Sequence, residues 1–271
     1  LLILHMVTPV QRELYAVQQM VPHGATVSSI RFLMRFGNAV DPECFCRALN
    51  RALANHPAFA MCFSLDDGSN LSQRYDPALI PHVEICDITP ETEASLADTL
   101  IRPFDVLLDH SLCRVDLYRG KDGLYFFMDV HHLLADGLSL RPFLGSIVDA
   151  YHGAGLKPDR FPALLSLEEK RMLSGQYEAD RAYLFNRYGG YDWCVDPFEE
   201  NPSCDEKGGD FSRRLCFSES QLKQAAERLS VSFSVMHIAS IILAMYHYTG
   251  RKDILTFWTF HNRQTKEAEN A

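Results

Sequence analysis

Residues 124–130 read Leu-Tyr-Phe-Phe-Met-Asp-Val, a mostly apolar run of strand length bounded by a turn on its N-terminal side. A run this apolar predicts a strand buried on both faces, with other layers packed above and below it. The strand ends in His131 and His132. Adjacent strand side chains point to opposite faces, so both rings reach one cavity only if the strand breaks between them. Asp136 and Gly137 follow, the glycine suited to a turn that a Cβ would resist. Ser139 then predicts an N-cap for a helix carrying Phe143, Leu144, Ile147, Val148 and Tyr151 at helical spacing, with Gly153 as its stop. A histidine at a strand end is more often structural than catalytic. Two histidines and an aspartate also raise the question of a metal, but the spacing is not a helical i, i+4 pair and no third ligand stands out.

Composition narrows the function classes. The chain has 271 residues, 47% hydrophobic and 23% charged, an ordinary globular balance with ample material for a core. A formal net charge of −9 argues against nucleic acid, whose phosphates require clustered Lys and Arg. The eight Cys form no Cys-x-x-Cys pair and several fall on apolar patterns, which predicts reduced core thiols and a cytoplasmic protein. Residues 1–4 lack the basic leader of a signal peptide. The most hydrophobic run, 233–248, contains two histidines and is too short to span a bilayer, so no membrane segment is expected.

Along the chain, Thr8-Pro9-Val10-Gln11 predicts a helix start with Thr8 as cap and Gln11 completing a capping box. Ile30, Phe32, Met34 and Phe36 alternate with Arg31 and Arg35 as a half-exposed strand. Asp41-Pro42 opens a helix with a Phe45, Ala48, Leu49, Ala52, Leu53 stripe that ends before Pro57. Phe59, Met61 and Phe63 alternate as a strand, another strand is expected around 82–86, and Thr89-Pro90 starts a helix reaching about Ile101. A hairpin turn at 120–123 joins the strand 112–118 to the buried strand. A single exposed helix is expected over 168–188, a surface loop over 196–210 and a short strand near 213–217. Helices over 219–229 and 234–248 and a buried strand over 254–260 then follow. No phosphate loop, Gly-x-Ser-x-Gly elbow or complete dinucleotide fingerprint is present.

Taken together, His131-His132-Leu-Leu-Ala-Asp136-Gly137, the approach segment Arg102-Pro103-Phe104-Asp105 with Leu112-Cys113-Arg114, the Thr8–Tyr15 start and the Asn262-Arg263 end resemble the condensation domains of nonribosomal peptide synthetases. Their relatives include chloramphenicol acetyltransferase. His56 also falls where that family carries a basic, histidine-containing motif, although Asn55 and Ala60 stand where arginines are common, and a structural role is expected for it.

The resemblance implies an α/β two-layer sandwich of the chloramphenicol-acetyltransferase type. Residues 1–165 would form a complete N-terminal lobe bearing the histidine motif, and 166–271 a linker and the start of a partial second lobe, with the boundary falling within 156–175. It implies amide-bond formation between acyl and aminoacyl thioesters held on the phosphopantetheine arms of donor and acceptor carrier proteins, with no cofactor bound by the chain itself. His132 would be the catalytic residue. His131, Asp136, Gly137 and Arg263 would support the site, Asp136 pairing with Arg263 in preference to orienting His132, and Gly137 offering a backbone N–H towards the oxyanion. Family members continue beyond the last residue given, so the isolated chain is expected to be inactive. Histidines in place of an Asp-rich motif argue against a cyclisation domain. Alternatives are an acyl-CoA-dependent acyltransferase, an epimerisation-type domain and a catalytically silent recruitment domain.

Overall fold

The computed structural model describes residues 3–20, 26, 28–37, 39–66, 70–107, 111–190, 216–254 and 256. They fall into two compact units, one running through Asp180 and a second from Arg181 onward.

The first unit holds two sheets. Strand β1 (Ile3–His5), β3 (Met61–Leu65) and β4 (Leu71–Tyr75) form an antiparallel sheet in the order β1-β4-β3. Strands β2 (Ser29–Phe36), β5 (Ile85–Asp87), β6 (Cys113–Gly120) and β7 (Gly123–His131) form the second, ordered β2-β7-β6-β5. β7 therefore lies inside the sheet, antiparallel to β2 and β6, while β5 joins β6 in parallel. Its even-numbered residues Leu124, Phe126, Met128 and Val130 face the main core. They pack with α2 (Pro42–Asn55) through Leu49 and Leu53, and with α4 (Leu140–Tyr151) through Phe143 and Ile147. Phe127, on the opposite face, packs with Leu96 and Leu100 at and beyond the end of α3 (Pro90–Thr99). The continuous apolar run follows from this double cover.

The local signals act where they stand. Thr8 caps α1 (Pro9–Met20): the Gln11 N–H donates to its Oγ1 at 3.2 Å, and the Thr8 N–H donates back to Gln11 Oε1 at 2.9 Å. The Asp41 carboxylate accepts the Cys44 N–H, and the five apolar residues of the α2 stripe are all buried. Phe59 departs from expectation, because it lies in a 3₁₀ turn (Pro57–Ala60) and the strand begins only at Met61. The strand expected around 82–86 is the short β5. In place of one long helix over 168–188 stand α5 (Phe161–Leu173) and α6 (Gln176–Tyr188), separated where Gly175 adopts a left-handed φ of 73°.

The hairpin between β6 and β7 turns on Gly123, which has φ +137° and where a Cβ would lie 2.2 Å from the Phe36 carbonyl oxygen. Gly123→Ala is expected to cost about 2–3 kcal/mol, since a residue with a side chain is strained there and the blocking atom is backbone. Chemical denaturation of the two proteins measures it.

In the second unit, Ser218 forms a full capping box with Gln221 at the start of α7 (Glu219–Arg228). α8 (Phe233–Thr249) is capped by Ser232 and ends at Gly250 in the left-handed conformation. Among the described residues no single helix is long and apolar enough to cross a membrane. All six described cysteines (44, 46, 62, 86, 113 and 216) are free thiols. The expected loop over 196–210 lies outside the described residues, as do the 213–217 strand up to residue 215 and the 254–260 strand apart from Ile254 and Thr256; Cys216, Phe217, Ile254 and Thr256 are not in a strand.

Candidate active site

The last residue of β7 is His131, and the chain leaves the strand at His132. The two imidazoles meet different surroundings. His131 shares the face of β7 with Phe127 and Asp129 and is 2% exposed. Its Nδ1 accepts the Leu133 N–H at 3.1 Å, which places the ring proton on Nε2, where no partner stands among the described residues. Phe104 meets the ring edge-to-face, with centroids 6.0 Å apart. Burial, aided by neighbouring His132, pushes the His131 pKa down to about 4.

That shift has a consequence in acid. Between pH 6.5 and 4 the unfolded chain protonates His131 while the folded chain does not, so stability is fully present above this window and falls as pH drops through it. The interval corresponds to about 3 kcal/mol. Urea unfolding from pH 7 to pH 4 is expected to show the loss, with a shallower fall for His131→Gln.

His132 is half-buried, and its imidazole makes no hydrogen bond among the described residues. The backbone around it is fixed. Its own N–H donates to Ser28 O, and the Leu134 N–H donates to His131 O, both at 2.9 Å. The Leu133 N–H goes to His131 as above, and the Leu133 carbonyl accepts from Gln11 Nε2 at 2.9 Å. A ring left unbonded on a turn this well held is available to a substrate.

The loop closes through Asp136, whose Oδ1 accepts from both the N–H and the hydroxyl of Ser139 at 2.7 Å. Asp136 makes no hydrogen bond to His132. Ser139 does stand at the N-cap position of α4, but its hydroxyl serves Asp136 and makes no cap bond. Gly137 also differs from the expected turn residue. It has no left-handed φ, and a Cβ there would meet nothing within 4 Å. The space beside the loop is open at Gly137, and the local backbone does not require a glycine. Arg263 and Asn262 lie outside the described residues.

Two polar arrays near the loop were not legible as such in the sequence. Register places Arg31, Asp129 and Arg114 in one row across β2, β7 and β6. The Asp129 carboxylate is fully buried, 3.9 Å from Arg31 Nε and 3.6 Å from Arg114 Nη1. Burial pushes its pKa above the ordinary carboxylate range, outweighing the opposing pull of the Ser29 hydroxyl and of the two arginines. Arg114 also donates to the carbonyls of Arg102 and Pro103 and lies over the Phe104 ring at 3.7 Å, linking this row to the wall of His131.

The second array joins Ser146 Oγ to His56 Nε2 at 3.0 Å and His56 Nδ1 to Asp159 Oδ2 at 2.8 Å. The order matches a hydrolase relay, but Ser146 lies within α4 and the His56 ring is packed between Phe59 and Phe143. It braces the end of α2 against α4 and the segment before α5.

The Condensation domain family model matches residues 4–271. The chain belongs to the condensation-domain family. This condensation domain is 24% identical over 279 residues to tyrocidine synthase 3 of Brevibacillus parabrevis, an alignment covering 97% of the chain and 4% of that protein. With bacitracin synthase 1 of Bacillus licheniformis it shares 25% identity over 252 residues, 90% of the chain and 5% of the relative. Among solved structures, the condensation domain of the monacolin K polyketide synthase MokA superposes with a TM-score of 0.75 at 16% identity, covering 99% of this chain and 65% of the other. The α/β fold of the chloramphenicol-acetyltransferase type is thereby shown. The chain spans about two thirds of that solved domain and about a twentieth of the two synthases.

Proposed function

We propose that the full-length protein forms an amide bond between an acyl or aminoacyl thioester and an amine, each carried on the phosphopantetheine arm of a carrier domain. The observation that carries this reading is the His132 imidazole, which makes no hydrogen bond among the described residues, on a turn whose backbone is tied to Ser28, His131 and Gln11. Aminolysis of a thioester needs no enzyme nucleophile. The acceptor amine attacks the carbonyl carbon, the tetrahedral oxyanion collapses, the C–S bond breaks, and the amine's proton must be taken up. A neutral imidazole near the amine orients it and receives that proton. His131 is suited to a different task, since its Nδ1 is already committed to the turn and its ring is closed off from solvent. Asp136 and Gly137 belong to the loop that presents His132, and Arg263 is the partner proposed for Asp136.

Incubating the full-length protein with carrier-loaded donor and acceptor, and reading the product by intact-protein mass spectrometry, tests the reading. Transfer of the donor acyl group to the acceptor-loaded carrier is the expected result. Transfer from a CoA thioester to a free amine, with none between carriers, would place the protein with acyl-CoA-dependent acyltransferases. Epimerised aminoacyl carrier without transfer would place it with epimerisation-type domains. No reaction with any donor would leave a recruitment role.

A further inference from the structure

We infer that Gln11, backed by Gln73, is a positioning residue for His132; the inference rests on the amide-forming reading above. A capping box needs from Gln11 only its Oε1, which accepts the Thr8 N–H. That bond also fixes which way the amide points and turns Nε2 inward. There Nε2 donates to the Leu133 carbonyl at 2.9 Å and to Gln73 Oε1 at 3.0 Å, while Gln73 Nε2 donates to the Met6 carbonyl at 2.7 Å. Gln11 is 8% exposed and Gln73 fully buried. Buried amides are costly unless bonded, so two of them in series mark a site where polar contact has been kept in place of apolar packing.

The target of the series is the carbonyl of the residue directly after His132. The other hydrogen bonds on this turn come from Ser28, beside β2, and from His131, at the end of β7. Among the described residues, the Gln11 bond is the one that reaches the turn from outside the four-stranded sheet. It ties the turn to α1 and, through Gln73, to the middle of β4. Loss of the donor frees the Leu133 peptide and lets the imidazole drift from the acceptor amine, and small misplacements of a catalytic group are costly to rate.

The test uses the full-length protein and separates the two duties of Gln11. In Gln11→Glu the carboxylate still accepts the Thr8 N–H but donates nothing to Leu133. Gln11→Met keeps the volume and loses all three side-chain bonds, and Gln73→Met removes the backing together with its bond to the Met6 carbonyl. Both Gln11 variants are expected to lose about tenfold to a hundredfold in kcat, with KM for loaded carriers held within about twofold. Backbone hydrogen exchange is expected to quicken in the peptide spanning 131–139. Gln73→Met should move both readouts the same way by less, and it carries the test if Gln11→Met fails to fold. Unchanged kcat per folded molecule in Gln11→Glu and Gln11→Met, or unchanged exchange over 131–139, overturns the inference. If the wild type forms no amide with any donor, the functional reading falls, and exchange over 131–139 alone decides whether Gln11 holds the turn.

Discussion

His132→Ala in the full-length protein is expected to lower amide formation by about 10²–10⁴-fold while leaving the melting temperature with that of the wild type. The separation of the two effects follows from the site. The imidazole of His132 accepts and donates nothing among the described residues, so truncation orphans no partner. The turn that carries it is held by Ser28, His131 and Gln11, whose bonds all go to backbone atoms. His131→Ala has the opposite character. It strands the buried Leu133 N–H and opens a cavity beside Phe104, so stability falls first and activity follows the folded fraction. Parallel measurement of turnover per folded molecule and of melting temperature distinguishes the pair. Wild-type turnover by His132→Ala would remove the residue from the mechanism.

The largest stability effect is expected at Asp129. Asp129→Ala leaves the Arg31 and Arg114 guanidinium groups facing each other across the vacated position on β7, and breaking one member of a buried ionic group costs about 3–5 kcal/mol. Arg31 keeps its bonds to the Thr26 carbonyl and Ser29 Oγ, and Arg114 keeps the carbonyls of Arg102 and Pro103, so neither is stripped of partners. What is lost is the charge between them. Burial of the carboxylate is unfavourable in itself and pushes its pKa up against the pull of Ser29, Arg31 and Arg114. Asp129→Leu combined with removal of one arginine should therefore recover part of the loss. Denaturant titration of the single and double variants measures both quantities, and a loss below about 1 kcal/mol for Asp129→Ala would show that the row is not a coupled unit.

What the sequence made legible was local. The Asp41 cap, the α2 stripe, the Thr8–Gln11 box, the 120–123 hairpin and the buried strand all depend on residues within a few positions of one another. The missed polar contacts have a common physical cause, which is that a partner lay far along the chain. β4 carries Leu-Ser-Gln-Arg-Tyr, with no apolar alternation, and its central Gln73 is buried because Gln11 and the Met6 carbonyl satisfy it. Asp129 looked like a polar interruption in an apolar run, since its counter-charges lie at positions 31 and 114. The break between α5 and α6 depends on the left-handed backbone of Gly175, which helical periodicity alone does not reveal. At the site, the histidine pair and its loop were visible as a motif. The tie from Gln11 was hidden because that residue already had a complete local explanation as a helix cap.

The bond from Gln11 to Leu133 spans 122 positions of sequence, and the one from Gln11 to Gln73 spans 62. Recombining such domains by exchanging short stretches of chain would therefore carry a hidden matching rule. A chimera that takes the histidine segment from one parent and the N-terminal helix from another inherits a carbonyl and an amide that were never fitted together. Crossovers placed within 12–72 or 74–132 divide this three-part joint. Parents that differ at position 11 or 73, or in the depth of the turn at 133, should yield folded but slow hybrids, and restoring the amide pair from the parent that supplied the turn is the first repair to make.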